Sequence, residues 1–471
     1  MKAFSFFKQI GRLLFLNVLV KPVWIFGVDR QIQNVTGHEA YGTYFSLLNL
    51  SLVFAFITDA GLSAMTNRQL ASGASFNVVQ LLRLKVLLAV VYGLLVCITA
   101  WLTGAHHWRI LLLVIGIQIL LSFFNFFRSI ITAHQLFALD VWLSVVDKLL
   151  MLALFLPLLY MPLFQMPITL SFFLQMQLFC TAAATSIALF IIHKKKLLYT
   201  NAARQKITAV LKAITPFAVI ILAMAAHNRL DGFLLERLHR NGAYEAGVYA
   251  ASYRLLDSAN MAGYLIASFL VPFLARHQDK ALLVQQTVLT ARYGLLLFGG
   301  VAALAAVFFA VPIQAALYPS STYYTAVVLQ WCLPVLPAYF LLHVYSSLLT
   351  ARGQLKPFIY RLLLSVFINT VLNFLLIPHW GAVGCCVAAL ASQYTCAITV
   401  YFFAARKYKL PHAARQWGYL AVAALLLAWL FYAGRQQAMP LLFVLTASVV
   451  VVMLALFAYL PFFKRFYSLS R

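Results

Sequence analysis

Eight ionisable side chains lie inside long apolar runs of this sequence: Lys21, His227, Arg229, Arg254, Asp59, Asp147, Asp231 and Asp257. A charge at the centre of a membrane helix costs at least about 2.5–3.5 kcal/mol on insertion scales, so each of them asks for a polar interior that offsets the cost. Lys21, Arg229, Arg254 and His227 are the candidates for holding an anionic ligand. Asp59, Asp147, Asp231 and Asp257 are the candidates for gating or ion coupling. Lys21 precedes Pro22, whose missing N–H and bulky ring kink a helix, so this cation is expected on an irregular span. Pairing within one helix is the competing reading. His227 and Asp231 are spaced i, i+4 and Arg254 and Asp257 i, i+3, so each can neutralise its neighbour.

Other polar positions read as structural. Asp59 stands two residues before Gly61, where a helix cap or a salt bridge to Arg68 competes with a gating role. Asp147 and Lys148 are adjacent and so are expected to face different directions. Arg292 is expected to snorkel toward cytoplasmic water. Asn369 and Asn373, one turn apart, are expected to join helices by hydrogen bonding. Trp24, Trp108, Tyr323, Tyr324 and Trp380 are candidates for the interfacial aromatic belt.

The elements that must position these residues follow from composition. Of 471 residues 64% are hydrophobic and 10% charged, with a mean hydropathy of +0.91. A soluble domain carries about 25% charged residues. Apolar runs long enough to cross roughly 30 Å of hydrocarbon recur along the whole chain. They predict an all-α polytopic membrane protein with about fourteen transmembrane helices, among them residues 12–33, 41–66, 358–377, 382–405 and 439–462. The net charge of +25 comes from Lys and Arg gathered in every second loop, which is the positive-inside pattern. It predicts an even number of spans with both termini cytoplasmic, and it removes the need for a nucleic-acid partner.

No P-loop is present, so the chain is not expected to hydrolyse ATP. Its six cysteines all fall in apolar runs without a C-x-x-C pair and read as small buried hydrophobes. No metal and no cofactor is expected. The apolar N-terminal stretch is interrupted by Lys21 and Pro22 and lacks a cleavage signature, so it reads as a first span and not as a signal peptide.

Two internal echoes suggest a duplication. Ala40-Tyr41-Gly42-Thr43-Tyr44 is matched by Glu245-Ala246-Gly247-Val248-Tyr249, each with G-x-Y at a helix entrance. Ser129-Ile130-Ile131-Thr132-Ala133 is matched by Ser347-Leu348-Leu349-Thr350-Ala351. Both pairs lie six spans apart, which preserves orientation and predicts parallel repeats. The expected division is an N-terminal six-helix bundle over 1–192, a cytoplasmic linker over 193–210, a second six-helix bundle over 211–405, and two further helices over 406–471.

Two stretches carry a family resemblance. Residues 35–71, VTGHEAYGTYFSLLNLSLVFAFITDAGLSAMTNRQLA, combine a G-x-x-x-Y-G-x-Y entrance with a D-x-G-L turn. Residues 349–391, LTARGQLKPFIYRLLLSVFINTVLNFLLIPHWGAVGCCVAALA, combine a T-A-x-G-Q loop, an Asn-bearing span and a P-x-x-G-A-x-G hairpin. Both are similar to the polysaccharide-unit flippases of the MOP superfamily, also called Wzx-type or O-antigen flippases. The resemblance implies a MATE-like pair of six-helix bundles around a central cavity lined mainly by spans 1, 2, 7 and 8. It also implies an undecaprenyl-diphosphate-linked oligosaccharide as cargo, in the bacterial inner membrane, with a polysaccharide polymerase and glycosyltransferases as pathway partners. Lys21, Arg229 and Arg254 fall on the spans so implied. Three alternatives stay open. A lipid II flippase would share the fold. A membrane glycosyltransferase or polymerase would need paired carboxylates on a sizeable loop, and only the region of Asp231, Glu236 and Glu245 offers any. A cation-coupled drug exporter would want an acidic cavity, not these cations.

Overall fold

The computed structural model describes residues 16–17, 19–71, 78–161, 168–197, 207–410, 414–437, 439, 444 and 446–457. Much of the expected linker, the start of the first span and the end of the last lie outside the described residues. Among the described residues, eleven helices are long and apolar enough to cross a membrane. In chain order the helices are α1 (Leu19–Thr58), α2 (Leu62–Ala71), α3 (Val78–Leu102), α4 (Trp108–Ala133), α5 (Phe137–Tyr160), α6 (Leu170–Lys194), α7 (Ile207–Leu238), α8 (Gly242–Arg276), α9 (Ala281–Leu317), α10 (Tyr323–Ala351), α11 (Leu355–Lys407), α12 (Ala414–Gln436) and α13 (Thr446–Phe457).

Two of these helices turn back on themselves at a glycine. Within α1, Gly37 has φ 81° and ψ 168°, a conformation open to glycine and costly for residues with a Cβ. A straight helix would hold Asp29 and Tyr41 about 18 Å apart. Instead the Tyr41 hydroxyl donates to Asp29 Oδ1 at 3.0 Å. In α11 the break is at Gly381, with φ 52° and ψ −128°, and Ser365 donates to the Ser392 carbonyl. Asn369 Nδ2 reaches Ser392 Oγ at 3.2 Å and Asn373 Nδ2 reaches Asn369 Oδ1 at 3.1 Å. Asn369 therefore joins the two arms, with Asn373 bonded to it along its own arm, and the segment is an antiparallel helical hairpin, as the P-x-x-G-A-x-G pattern suggested.

Other irregularities have local causes. Pro312 removes a donor and crowds the carbonyl four residues before it, and α9 departs from helical geometry at Phe309, with φ −118°. Pro334 lies within a 3-10 turn over Leu333–Val335 in the middle of α10, and Pro337 follows it. Three residues after Pro22, α1 widens into a π turn over Ile25–Asp29, so the expected irregular first span is present. The second span was expected to reach residue 66, but helical structure stops at Thr58. Ala60 and Gly61 then adopt positive φ of 42° and 85° and reverse the chain into α2.

By packing the chain forms two compact units, Met1–Gly247 and Val248–Arg471. In the first, α4 packs on α6 and α2, and α7 packs on α1. Its core joins Leu62, Leu81, Phe126, Phe127, Ile130 and Ala188. The entrance of α8 crosses α1 so closely that a Cβ on Gly42 would strike the Ala243 carbonyl, and one on Gly247 would strike the His38 carbonyl. The two G-x-Y entrances thus meet each other, each glycine against the carbonyl four residues before the other. In the second unit α9 packs on α10 and α12, with Phe309, Leu427, Phe431 and Val444 forming one core cluster. The Tyr293 hydroxyl donates to the Ala455 carbonyl at 2.9 Å, so α13 is also tied to α9.

The second sequence echo coincides with a repeated local structure. At the end of α4, Gln135 N donates to the Thr132 carbonyl and Leu136 N to the Ile131 carbonyl. At the end of α10, Gly353 N donates to Thr350 and Gln354 N to Leu349 in the same pattern. Gln135 and Gly353 both take positive φ, 59° and 68°. This is the cap in which a left-handed residue lets two amides satisfy the last carbonyls of a helix. The ends of α6 and α11 repeat it at Lys196 and Lys409.

Candidate functional site

The first unit holds a polar strip in its apolar interior. Lys21 and Trp24 fall on one face of α1 by helical spacing, with Asn17 just before the helix, and Asp140, Ser144 and Asp147 share a face of α5. Asn17 Nδ2 donates to Ser144 Oγ at 3.0 Å, and the Lys148 ammonium stands 4.3 Å from the centre of the Trp24 ring. The half-buried Trp24 ring is therefore a platform for the Lys148 cation. Arg128 of α4 forms a two-pronged pair with Asp140, at 2.7 and 3.2 Å. Lys148 Nζ reaches Asp147 Oδ2 at 3.2 Å. The expectation that these neighbours face apart fails because the lysine side chain is long enough to bend back along the helix.

Lys21 is half-buried in this strip, within electrostatic reach of Lys148, Arg128 and Asp147. No carboxylate among the described residues comes within ion-pair distance of it. Three cations therefore share the strip with two carboxylates, leaving a net positive charge in a low-dielectric interior. Arg128 and Asp140 were missed in the sequence. Their signal was one basic and one acidic residue at the facing ends of two apolar runs joined by a short turn.

Asp59 is an anchor. Lys85, fully buried on α3, donates to Asp59 Oδ1 at 2.9 Å, to the Thr58 carbonyl at 3.0 Å and to Ser122 Oγ at 2.7 Å. Ser63 donates to Asp59 through its hydroxyl and through its backbone N–H, the latter at 3.3 Å. Asp59 thus caps α2 and neutralises Lys85, with Lys85 standing where Arg68 was expected. The Arg68 side chain lies outside the described residues. Lys85 lies within α3 because that helix begins at Val78, ahead of the continuous apolar run.

On α7, His227 and Asp231 are buried one turn apart and Arg229 is half-buried. At 3.6 residues per turn, Arg229 points roughly 200° away from His227, so these two candidates do not share a face. Beside Asp231, a Cβ on Gly232 would come 2.6 Å from Asn49 Nδ2 and 2.7 Å from the Phe45 ring, so α7 lies tight on α1. Lys21, Arg229, His227, Asp59, Asp147 and Asp231 all belong to the first unit. Arg254, buried, and Asp257, half-buried, lie one turn apart on α8 in the second.

Arg292 of the second unit is a correction. It is 1% exposed and does not reach water. Its guanidinium lies 4.8 Å from the Trp417 ring centre and donates to Gln416 Oε1 and, at 3.3 Å, to the Tyr345 hydroxyl. The apolar start of α9 is covered by α12, which a sequence window cannot show. His343, also missed, is buried 3.0 Å from Asn260 Oδ1. Five of the cysteines are buried and Cys97 is half-buried, and no metal-binding group of His, Cys, Asp or Glu occurs among the described residues.

Comparison with known proteins places this arrangement. No curated protein matches the chain by sequence. Among solved structures, the lipid II flippase MurJ in an inward closed conformation is similar with a TM-score of 0.71 and 13% identity, covering 97% of this chain and 100% of that one. The Vibrio cholerae MATE transporter VcmN, in a mutant form, has a TM-score of 0.59 and 16% identity, covering 86% and 97%. A MOP superfamily transporter from Pyrococcus furiosus has a TM-score of 0.58 and 14% identity, covering 85% and 96%. These likenesses are of fold. Residues 31–278, more than half of the chain, match the family described as polysaccharide biosynthesis protein. The chain therefore belongs to that polysaccharide biosynthesis family.

Proposed function

We propose that the chain flips an undecaprenyl-diphosphate-linked oligosaccharide from the cytoplasmic to the periplasmic leaflet of a bacterial inner membrane by alternating access, for polysaccharide export. The observation that carries this reading is the net-positive strip of Lys21, Arg128 and Lys148 in the first unit. A diphosphate crossing hydrocarbon needs fixed cations in place of its lost water. Arg128 and Lys148 are held by their own carboxylates, which leaves Lys21 as the contact and the other two as the field around it. Arg229 and His227 in the first unit and Arg254 in the second are further proposed cargo contacts. Asp147, Asp231 and Asp257 are the proposed partners that release or recapture these cations as the protein changes state.

The test is flipping of a labelled undecaprenyl-diphosphate sugar in proteoliposomes. Lys21→Ala should slow it about tenfold or more, the effect of losing one charge-assisted contact of roughly 1.5–3 kcal/mol. Lys21→Arg should keep most of the rate. Wild-type flipping by a well-folded Lys21→Ala/Arg254→Ala variant would reject the reading.

Lipid II is the second reading, favoured by the likeness to MurJ over the whole chain. It presents the same diphosphate, so the two part on cargo: acceptance of lipid II at the same rate would favour it. The P. furiosus transporter, described by a reversed polarity of its binding pocket and a different function, lends support to a basic pocket over a drug-exporter reading. The proposed topology is fourteen spans in two parallel six-helix repeats, 1–192 and 211–405, with 406–471 added. The matching caps of α4 and α10 and of α6 and α11 support it. Single cysteines at positions 200 and 435 should label from the cytoplasm and from outside respectively, and labelling from one side would refute the topology.

A further inference from the structure

All ten acidic residues of the chain precede Lys280. The α11 hairpin brings its two ends together beyond that point and encloses a groove of about 960 Å³ lined by Tyr360, Arg361, Leu364, Phe402, Phe403 and Arg406, with Lys407 and Thr399 beside them. Arg361 lies 4.1 Å from the centre of the Phe403 ring and is aimed by a 2.7 Å hydrogen bond to the Pro357 carbonyl. The Lys407 ammonium lies 5.6 Å from the same ring centre and donates to Gln354 Oε1 at 2.5 Å. Arg406 is exposed, and its side chain makes no ion pair or hydrogen bond among the described residues. Two cations thus approach one ring with a third at the rim, and the chain has no acidic side chain after Asp279 to lie between them. Their mutual repulsion calls for an anion from outside the chain.

The groove continues as an apolar track. Leu364, Phe367, Val371 and Leu375 are exposed at 51, 66, 40 and 60%, at helical spacing, and Ile398 and Phe402 are exposed beside them at 42 and 52%. The eleven helical steps from Leu364 to Leu375 rise about 16 Å, roughly the length of an acyl chain. We infer that this groove is a site for an acidic phospholipid of the surrounding leaflet, its phosphate held by Arg361, Arg406 and Lys407 and its chains lying on the track. Charge complementarity selects the headgroup. The exposed apolar track selects a lipid over a soluble phosphate.

The full chain should be extracted from vesicles of equal parts phosphatidylcholine and phosphatidylglycerol into mild detergent and its retained lipid read by native mass spectrometry. Phosphatidylglycerol should be kept in preference. Each basic residue removed should weaken retention about fivefold, so that Arg361→Gln/Arg406→Gln/Lys407→Gln loses it by roughly a hundredfold. Arg361→Lys/Arg406→Lys should retain it, which separates loss of charge from loss of fold. Equal retention by the wild type and the triple variant, or the same affinity for both lipids, would overturn the site. Displacement by millimolar inorganic phosphate would overturn the lipid as its occupant. Because the readout is bound lipid and not flipping, the result stands apart from the cargo and the direction of transport.

Discussion

The two units handle buried positive charge differently. In the first, Lys85 meets Asp59 at 2.9 Å, Arg128 meets Asp140 at 2.7 Å and Lys148 meets Asp147 at 3.2 Å. In the second, Arg292 is as deeply buried as Lys85 but rests on a glutamine, a tyrosine hydroxyl and an indole face. Its Nε has no hydrogen-bond partner among the described residues. A cation paired with a carboxylate is neutral as seen from a distance, whereas one in a neutral cage keeps its long-range field. The first unit therefore confines its field to the neighbourhood of Lys21. The second has no acidic side chain after Asp279, so the cations of its later part stand without acidic neighbours in that stretch.

The sharpest way to break this comparison is to unpair Lys85. Asp59→Ala should cost about 3–5 kcal/mol, because it leaves a fully buried ammonium without its counter-charge. The thermal unfolding midpoint in detergent should fall steeply, and Lys85→Met in the same chain should restore most of it. A small loss in the single variant would mean that Thr58 and Ser122 alone satisfy the lysine. In the second unit the corresponding losses should be smaller. Gln416→Ala should cost about 1.5–3 kcal/mol, the worth of a buried hydrogen bond to a charged group. Arg292→Met should cost about 1 kcal/mol or less, since removing the charge also removes its desolvation. Arg292→Met as harmful as Asp59→Ala would show that the cage stabilises the cation as well as a carboxylate does.

The weakest effect concerns the matching caps. Gln135 and Gly353 occupy the same left-handed position, and a Cβ at 353 would meet nothing within 4 Å. Gln135→Gly should raise the unfolding free energy by about 0.5–1 kcal/mol, and Gly353→Ala should lower it by a similar amount. Unfolding midpoints that move the same way in both variants would separate the two caps.

Apolar runs made the helices legible, and Gly37 and Gly381 stand close to the expected span boundaries because only glycine accepts their backbone angles. The short echoes were legible too, since the cap of α4 and that of α10 are built from the same hydrogen bonds on similar residues. The site was less so. Lys21 stood out through its position beside Pro22, but Arg128 and Asp140 required knowing that α4 and α5 pair across their connecting turn. Lys85 and Arg292 resembled loop or interfacial cations because a sequence window cannot see which helix end is covered by Asp59 or by α12. His227 and Arg229 looked like one cluster in the sequence and lie on different faces of α7.

The hairpin at Gly381 has a consequence for how the chain is made. The side chains that zip it, Ser365, Asn369 and Ser392, are separated by only 23 to 27 positions. At ribosomal speeds of roughly 5–20 residues per second, the 53 residues of α11 emerge within about 3–10 s. Its polar seam can close without waiting for a distant segment, hiding two asparagines and two serines before they meet hydrocarbon singly. The hairpin is thus suited to enter the bilayer as a prefolded pair.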